Sequence, residues 1–135
     1  MNFSNKYGGK IIFELIKTIQ DKKDFLSEVD GKIGDGDHGI NMNKGFTMTY
    51  CKVNGKDYDM TTAFSVLGDT LLEDIGGSMG PLYGAFFDGL SEASEDHDVI
   101  DKKTFQEMIH TALEAIQDIG NAKRGDKTLL DTLIP

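Results

Sequence analysis

The chain has no tryptophan, one cysteine and two prolines in 135 residues. A lone cysteine, Cys51, excludes an internal disulfide framework and suits a reducing compartment. Set in a helical pattern, it reads as a small buried residue rather than a nucleophile. The prolines, Pro81 and Pro135, fall at a glycine-rich loop and at the last position, so neither interrupts a long periodic segment. No apolar run approaches the ~20 residues of a membrane span, and Met1 to Lys10 carries no apolar signal core. Cations are scarce as well: 14 Lys and Arg stand against 23 Asp and Glu, a formal charge of −9. Without a basic run, nucleic acid and anionic membrane are poor partners, and the expectation is a soluble, cytoplasmic protein. Strict apolar/polar alternation is also missing, which argues against a β architecture.

What is present is helical periodicity. Ile11, Ile12, Leu15, Ile16 and Ile19 predict a helix over about 7–21, and Phe25, Leu26 and Val29 a short second piece. Ile40, Met42, Phe46, Met48 and Tyr50 predict a helix over 38–53. Asp59 is a suitable N-cap for a helix over 60–75, carrying Met60, Phe64, Val66, Leu67, Leu71 and Leu72. Leu82, Tyr83, Phe86, Phe87 and Leu90 continue the period to about 94, where an acidic polar loop, 91–101, begins. Phe105, Met108, Ile109, Leu113, Ile116 and Ile119 predict a helix over 101–119, and a final apolar stretch runs from Leu129 to Ile134. With 39% hydrophobic residues, this is one domain, 1–135, of all-α class: an antiparallel helical bundle. Glycine-rich turns recur at 34–39, 76–80 and 120–125. In an antiparallel bundle, loops separated by two helices share an end, so these three can meet on one rim.

The densest chemistry runs from Asp30 to Asn41, Asp-Gly-Lys-Ile-Gly-Asp-Gly-Asp-His-Gly-Ile-Asn. A loop folded back on itself aims Asp30, Asp35 and Asp37 at one point, which would repel itself without a cation. Carboxylate oxygens are hard ligands for Mg²⁺, Mn²⁺ or Ca²⁺. Gly34, Gly36 and Gly39 permit positive φ and close backbone approach, and a helix starting near His38 adds unpaired N–H donors for phosphate. Asp-Gly-Asp is equally good turn and N-cap chemistry, which needs no metal. An EF-hand is excluded by register, because the twelfth position is Phe46 counted from Asp35 and Asn41 counted from Asp30. Gly76 to Gly80 has one hydroxyl, Ser78, and several accessible N–H groups, but lacks the Gly-Lys-Ser/Thr of a Walker loop. It reads as a phosphate loop or as a tight turn between packed helices, with Gly84 allowing close contact. Asp126, Lys127 and Thr128 either cap the last helix or contact a nucleotide. His97 and His110 read as ordinary surface histidines, and Tyr83, Phe86 and Phe87 as core. Met79 reads as a packing residue that can also touch an adenine.

Three motifs resemble the ADP-binding subunit of dihydroxyacetone kinase: Gly34-Asp35-Gly36-Asp37-His38-Gly39-Ile40-Asn41-Met42, Gly76-Gly77-Ser78-Met79-Gly80-Pro81-Leu82-Tyr83-Gly84 and Gly125-Asp126-Lys127-Thr128-Leu129-Leu130-Asp131. The resemblance covers almost the whole chain from Ile11. It implies a barrel of antiparallel helices with ADP or ATP at one rim, held through two Mg²⁺ ions. Matched by motif, the metal ligands are Asp30, Asp35 and Asp37. The nucleotide contacts are His38, Gly39, Ile40, Asn41, Ser78 and Met79, with Gly120 and Leu129 near the adenosine. It implies phosphoryl transfer to dihydroxyacetone held by a separate kinase subunit, with no catalytic residue on this chain beyond the metal and phosphate site. A start at Met1 so near the motifs favours the lineage in which a phosphotransferase-system protein rephosphorylates the retained ADP. The sequence departs from the family at Met79, where a small residue is expected. It also ends at Pro135, where family members continue through more helices with a Gly-Arg-Ala segment and an arginine. A domain short of those helices exposes apolar surface and is expected to self-associate. The competing reading is a non-catalytic relative that serves as a partner-binding or regulatory module.

Overall fold

The computed structural model describes residues 2–120, 125 and 129–134. Its elements are β1 (Phe3–Ser4), a 3₁₀ turn (Gly8–Lys10), α1 (Ile11–Asp30), α2 (His38–Val53), α3 (Met60–Asp74), α4 (Met79–Ser94), β2 (Val99–Ile100), α5 (Lys102–Gly120) and α6 (Leu130–Leu133). Each long helix packs chiefly on its neighbour in sequence, α1 on α2, α3 on α4 and α4 on α5. The fold is the expected all-α bundle. None of these helices is long and apolar enough to cross a membrane.

The helices follow their apolar stripes. Ile12 and Ile16 of α1 are buried, as are Met42, Phe46 and Val53 of α2 and Phe64, Leu67 and Leu71 of α3. Full burial of a side chain such as Leu67 or Leu71, both 0% exposed, contributes roughly 1.5–3 kcal/mol. Phe87 is the aromatic centre. Its ring lies 6.0 Å from Phe46, 5.9 Å from Phe64 and 5.2 Å from Phe86. The α3–α4 contact is close because a Cβ on Gly84 would lie 2.9 Å from the Gly68 carbonyl.

Several expectations need correction. Residues 7–29 do not make two pieces, since α1 is continuous to Asp30. The polar run from Asp21 to Asp24 contains no Gly or Pro, so nothing in it breaks a helix. Cys51 is exposed. The buried positions of α2 are 39, 42, 45, 46, 49 and 53, a stripe that leaves Ile40, Tyr50 and Cys51 outside. Ile11, Leu72, Phe105 and Ile119 are likewise exposed. His110 pairs with Glu114, Nε2 to Oε1 at 3.0 Å. Within the acidic loop, Val99–Ile100 forms a strand antiparallel to Phe3–Ser4.

Beside that ribbon, Asn5 is buried and clasps two distant segments. Its side-chain amide donates to Thr61 Oγ1 (2.9 Å), the Ser94 carbonyl (3.1 Å) and the His97 carbonyl (2.9 Å). Its Oδ1 accepts from the Thr61 N–H, and its carbonyl from the Met60 N–H at 2.9 Å. The start of α3 and the end of α4 are thereby tied together. A cavity of about 440 Å³, walled by Lys6, Tyr7, Phe13, Lys56 and Tyr58, lies at this same end.

Asp88 of α4 sits against Gly68. Partial burial, then the charge of Asp69 and a hydrogen bond with it, push its carboxyl up to about 7. At Asp88 the folded state therefore keeps a proton that the unfolded state gives up between about pH 4 and 7, and this group's contribution to stability falls as pH rises through that window. Discounted for its exposure to solvent, ionising Asp88 costs the fold about 1 kcal/mol. The Asp88→Asn variant is expected to unfold at a higher temperature than wild type at pH 8 and to lose that advantage at pH 5. Melting curves across the window check this, and a variant no more stable at pH 8 overturns it.

Candidate metal and phosphate site

Asp30 is the last residue of α1, and the chain turns at once. The N–H groups of Gly31 and Gly34 donate to the Ser27 and Asp30 carbonyls at 2.9 and 2.6 Å. Gly36 has φ +77°, a left-handed conformation that glycine adopts without strain. It reverses the chain between Asp35 and Asp37. As a result one carboxylate oxygen from each of Asp30, Asp35 and Asp37 lies within 4.8 Å of the others. The expected convergence is present, Asp35 and Asp37 are exposed, and Asp30 is half-buried.

The turn and N-cap interpretation uses little of these side chains. Asp37 precedes α2, yet its carboxylate caps no helical N–H. Asp35 Oδ1 accepts from the Asp37 N–H, and Asp30 Oδ2 from the His38 N–H, both at a long 3.3 Å. None of the three is in an ion pair among the described residues, where the pairs are Lys52–Asp74 and His110–Glu114. A hydrogen bond between their side chains holds Asp35 below the ordinary carboxylate range and Asp37 above it. Burial and the charge of Asp35 reinforce the rise at Asp37. Crowded carboxylates of one sign perturb each other in this way, and a cation between them would relieve the repulsion.

The first turn of α2 supplies N–H groups of Gly39 and Ile40 that have no helical acceptor. Gly39 itself is explained by packing rather than by approach to phosphate. It is buried, and a Cβ there would collide with the Lys23 carbonyl and stand 2.6 Å from Ser27 Oγ. Of the three loop glycines expected to need positive φ, only Gly36 has it.

The second loop, 75–78, has Gly77 at φ +77° and open space around Gly76 and Gly77. Ser78 is exposed, and its hydroxyl caps no N–H of α4. Met79 opens the helix and its side chain enters the core beside Ile75, leaving only backbone at the rim. Gly120 ends α5, and Leu129 precedes α6 as its N-cap residue. Asp126, Lys127 and Thr128 lie outside the described residues.

The His38 and Tyr83 rings lie 6.1 Å apart at 52°, which brings the start of α2, next to the three aspartates, beside the first turns of α4. A Cβ on Gly120, the last residue of α5, would lie 3.9 Å from Leu82 Cδ2. Of the third glycine-rich turn, residues 121–124 lie outside the described residues. Tyr83 was read from sequence as core. It is only half-buried, and no signal in a single sequence pairs it with His38.

The structure is an all-helical domain that carries three converging carboxylates on an interhelical loop, with a glycine-rich turn ahead of each of α2 and α4. The chain belongs to the DAK2 domain family, which matches residues 32–135. It is 34% identical over 136 residues to the ADP-binding subunit of PEP-dependent dihydroxyacetone kinase 1 of Listeria innocua serovar 6a, covering 100% of this chain and 68% of the relative. It is 40% identical over 114 residues to the ADP-binding subunit of PTS-dependent dihydroxyacetone kinase of Lactococcus lactis subsp. lactis, covering 84% and 57%. With the ADP-binding subunit of the PEP-dependent dihydroxyacetone kinase of Escherichia coli K12 it shares 33% over 115 residues, covering 84% and 55%. The chain thus spans between about half and two thirds of the length of these relatives.

Proposed function

We propose that this chain is the nucleotide-binding part of a dihydroxyacetone kinase. It carries ADP, phosphorylated to ATP in turn, beside a partner subunit that holds dihydroxyacetone. The observation that carries this is the convergence of the Asp30, Asp35 and Asp37 oxygens within 4.8 Å of one another on a chain related to ADP-binding subunits. The donor set fits magnesium: three hard carboxylate oxygens with no thiolate or imidazole among them. Bound there as a pair of ions, Mg²⁺ would neutralise and orient the phosphate oxygens during transfer. Asp30, Asp35 and Asp37 hold the ions. The N–H groups of Gly39, Ile40 and Met79 donate to phosphate, with the Ser78 hydroxyl, the His38 ring and the Asn41 amide beside them. Gly120 and Leu129 border the adenosine.

In this reading the ketose is held by the partner subunit, so this chain supplies the nucleotide and turnover needs both. The names of the relatives, PEP-dependent and PTS-dependent, support rephosphorylation by a phosphotransferase-system protein rather than exchange of free ATP. Full activity from ATP with none from phosphoenolpyruvate would overturn that choice. Phe25, Val29 and Ile33, 60%, 48% and 99% exposed, recur every fourth residue from α1 into the loop and support self-association. Light scattering that reads a clean monomer counts against it.

Calorimetric titration of ADP tests the central reading. Binding with Mg²⁺ that disappears in EDTA is expected, and a folded sample that takes no ADP in either condition overturns it.

A further inference from the structure

The Leu82–Tyr83 pair in the first turns of α4 lies between the end of α5 and the start of α2. Leu82 faces Gly120, and the Tyr83 ring packs against His38 at 6.1 Å. His38 follows directly on Asp37, and its N–H is already drawn to Asp30 Oδ2. Its backbone is thus tied to the carboxylates, while its ring leans on a residue of another helix. Tyr83 is half-buried, and desolvation raises its phenol above the ordinary range. Its hydroxyl takes no hydrogen bond among the described residues. The contact is therefore made by the ring face and edge, and the hydroxyl is dispensable.

Resting on the proposed function, we infer that Tyr83 is a positioning residue. Its ring holds the His38 imidazole on the phosphate side of the rim. A histidine on a first helical turn has several open rotamers, and each must be surrendered when phosphate binds. An aromatic neighbour removes that freedom beforehand, so nucleotide affinity gains without a direct contact. The role belongs to anion binding. The three aspartates receive nothing from Tyr83, so affinity for a bare cation should not depend on it.

The test compares Tyr83→Phe, Tyr83→Leu and wild type by titrating Mg·ADP and, separately, Mn²⁺ alone, with folding checked by melting. Tyr83→Phe is expected to match wild type. Tyr83→Leu, which keeps apolar bulk but loses the ring, is expected to bind Mg·ADP about tenfold more weakly, in line with losses on removing outer-shell support, with Mn²⁺ affinity unchanged. In proton–carbon NMR spectra at fixed pH, the His38 ring signal, assigned by its loss in His38→Gln, should shift in Tyr83→Leu and stay in place in Tyr83→Phe. Equal Mg·ADP affinity in Tyr83→Leu overturns the role while leaving the functional reading intact. A parallel fall in Mn²⁺ affinity also overturns it, because Tyr83 would then support the whole loop. A wild-type chain that takes no ADP sinks both readings together.

Discussion

Replacing Asp35 and Asp37 together with alanine abolishes Mg-dependent ADP binding and leaves the fold standing. Two of three hard donors disappear, and what remains at the rim is Asp30 and a set of N–H groups that hold phosphate weakly in water. A fall of about 100-fold or more is expected in calorimetry, the scale on which first-shell ligands exceed their supporting neighbours. The melting temperature should hold or rise, because both side chains are exposed and mutually repulsive. That combination separates a binding site from a structural turn. A double variant that still takes Mg·ADP, or that unfolds, overturns the assignment. The same rim predicts a pH dependence of metal binding in wild type. A hydrogen bond with Asp35 and the charge of Asp35 raise Asp37, and a proton there competes with a cation. Mn²⁺ affinity should therefore fall as pH drops through the raised Asp37 value. If the chain binds a partner subunit without nucleotide, that interaction should survive the double substitution, and its survival alone would favour the non-catalytic module.

Gly39→Ala is the substitution expected to damage the molecule most for its size. Its Cβ meets the Lys23 carbonyl, which is backbone in the middle of α1, together with Ser27 Oγ. Neither can swing aside, so α1 and α2 must separate where the acidic loop joins them. A loss of about 2–4 kcal/mol is expected in urea unfolding at unchanged slope, accompanied by weaker Mn²⁺ binding as Asp30 moves away from Asp37. Gly76→Ala is the control. Nothing lies within 4 Å of a Cβ there, and its stability should stay within about 0.5 kcal/mol of wild type. A Gly39→Ala chain as stable as wild type would show that the two helices have room to spare.

The bundle was legible because its helices carry clean stripes and its breaks carry glycine. The limits of α2 follow His38 and Asn54 as expected, and Asp59 caps α3 by accepting the Thr62 N–H at 2.7 Å. Local chemistry encodes such features, so local reading finds them. The three aspartates were legible for the same reason, since seven residues and one left-handed glycine bring them together. What escaped is what depends on distant partners. Val99–Ile100 becomes a strand only because Phe3–Ser4 lies beside it, and neither segment alternates on its own. Cys51 is apolar by type but falls off the α2 stripe. Gly39 looked like a phosphate glycine because it stands in a glycine-rich motif, whereas the close approach it permits is to a carbonyl of another helix. Tyr83 has the composition of core and the position of a rim, and only the packing of α4 beside the first loop tells them apart.

The Asn5 clasp also sets an order of events. Its partners at Ser94 and His97 lie 89 and 92 residues further along the chain, so during synthesis the segment around Asn5 emerges long before its full set of partners. Until α3 and α4 have both emerged its amide lacks acceptors that it has in the finished fold, while the loop from Asp30 to Asp37, whose bonds span at most eight residues, can close early. Pulse-labelled exchange on stalled chains should find the loop amides protected before those of residues 3–5. On this order the molecule is finished first at the end that carries the three aspartates and fastened at the Asn5 end afterwards.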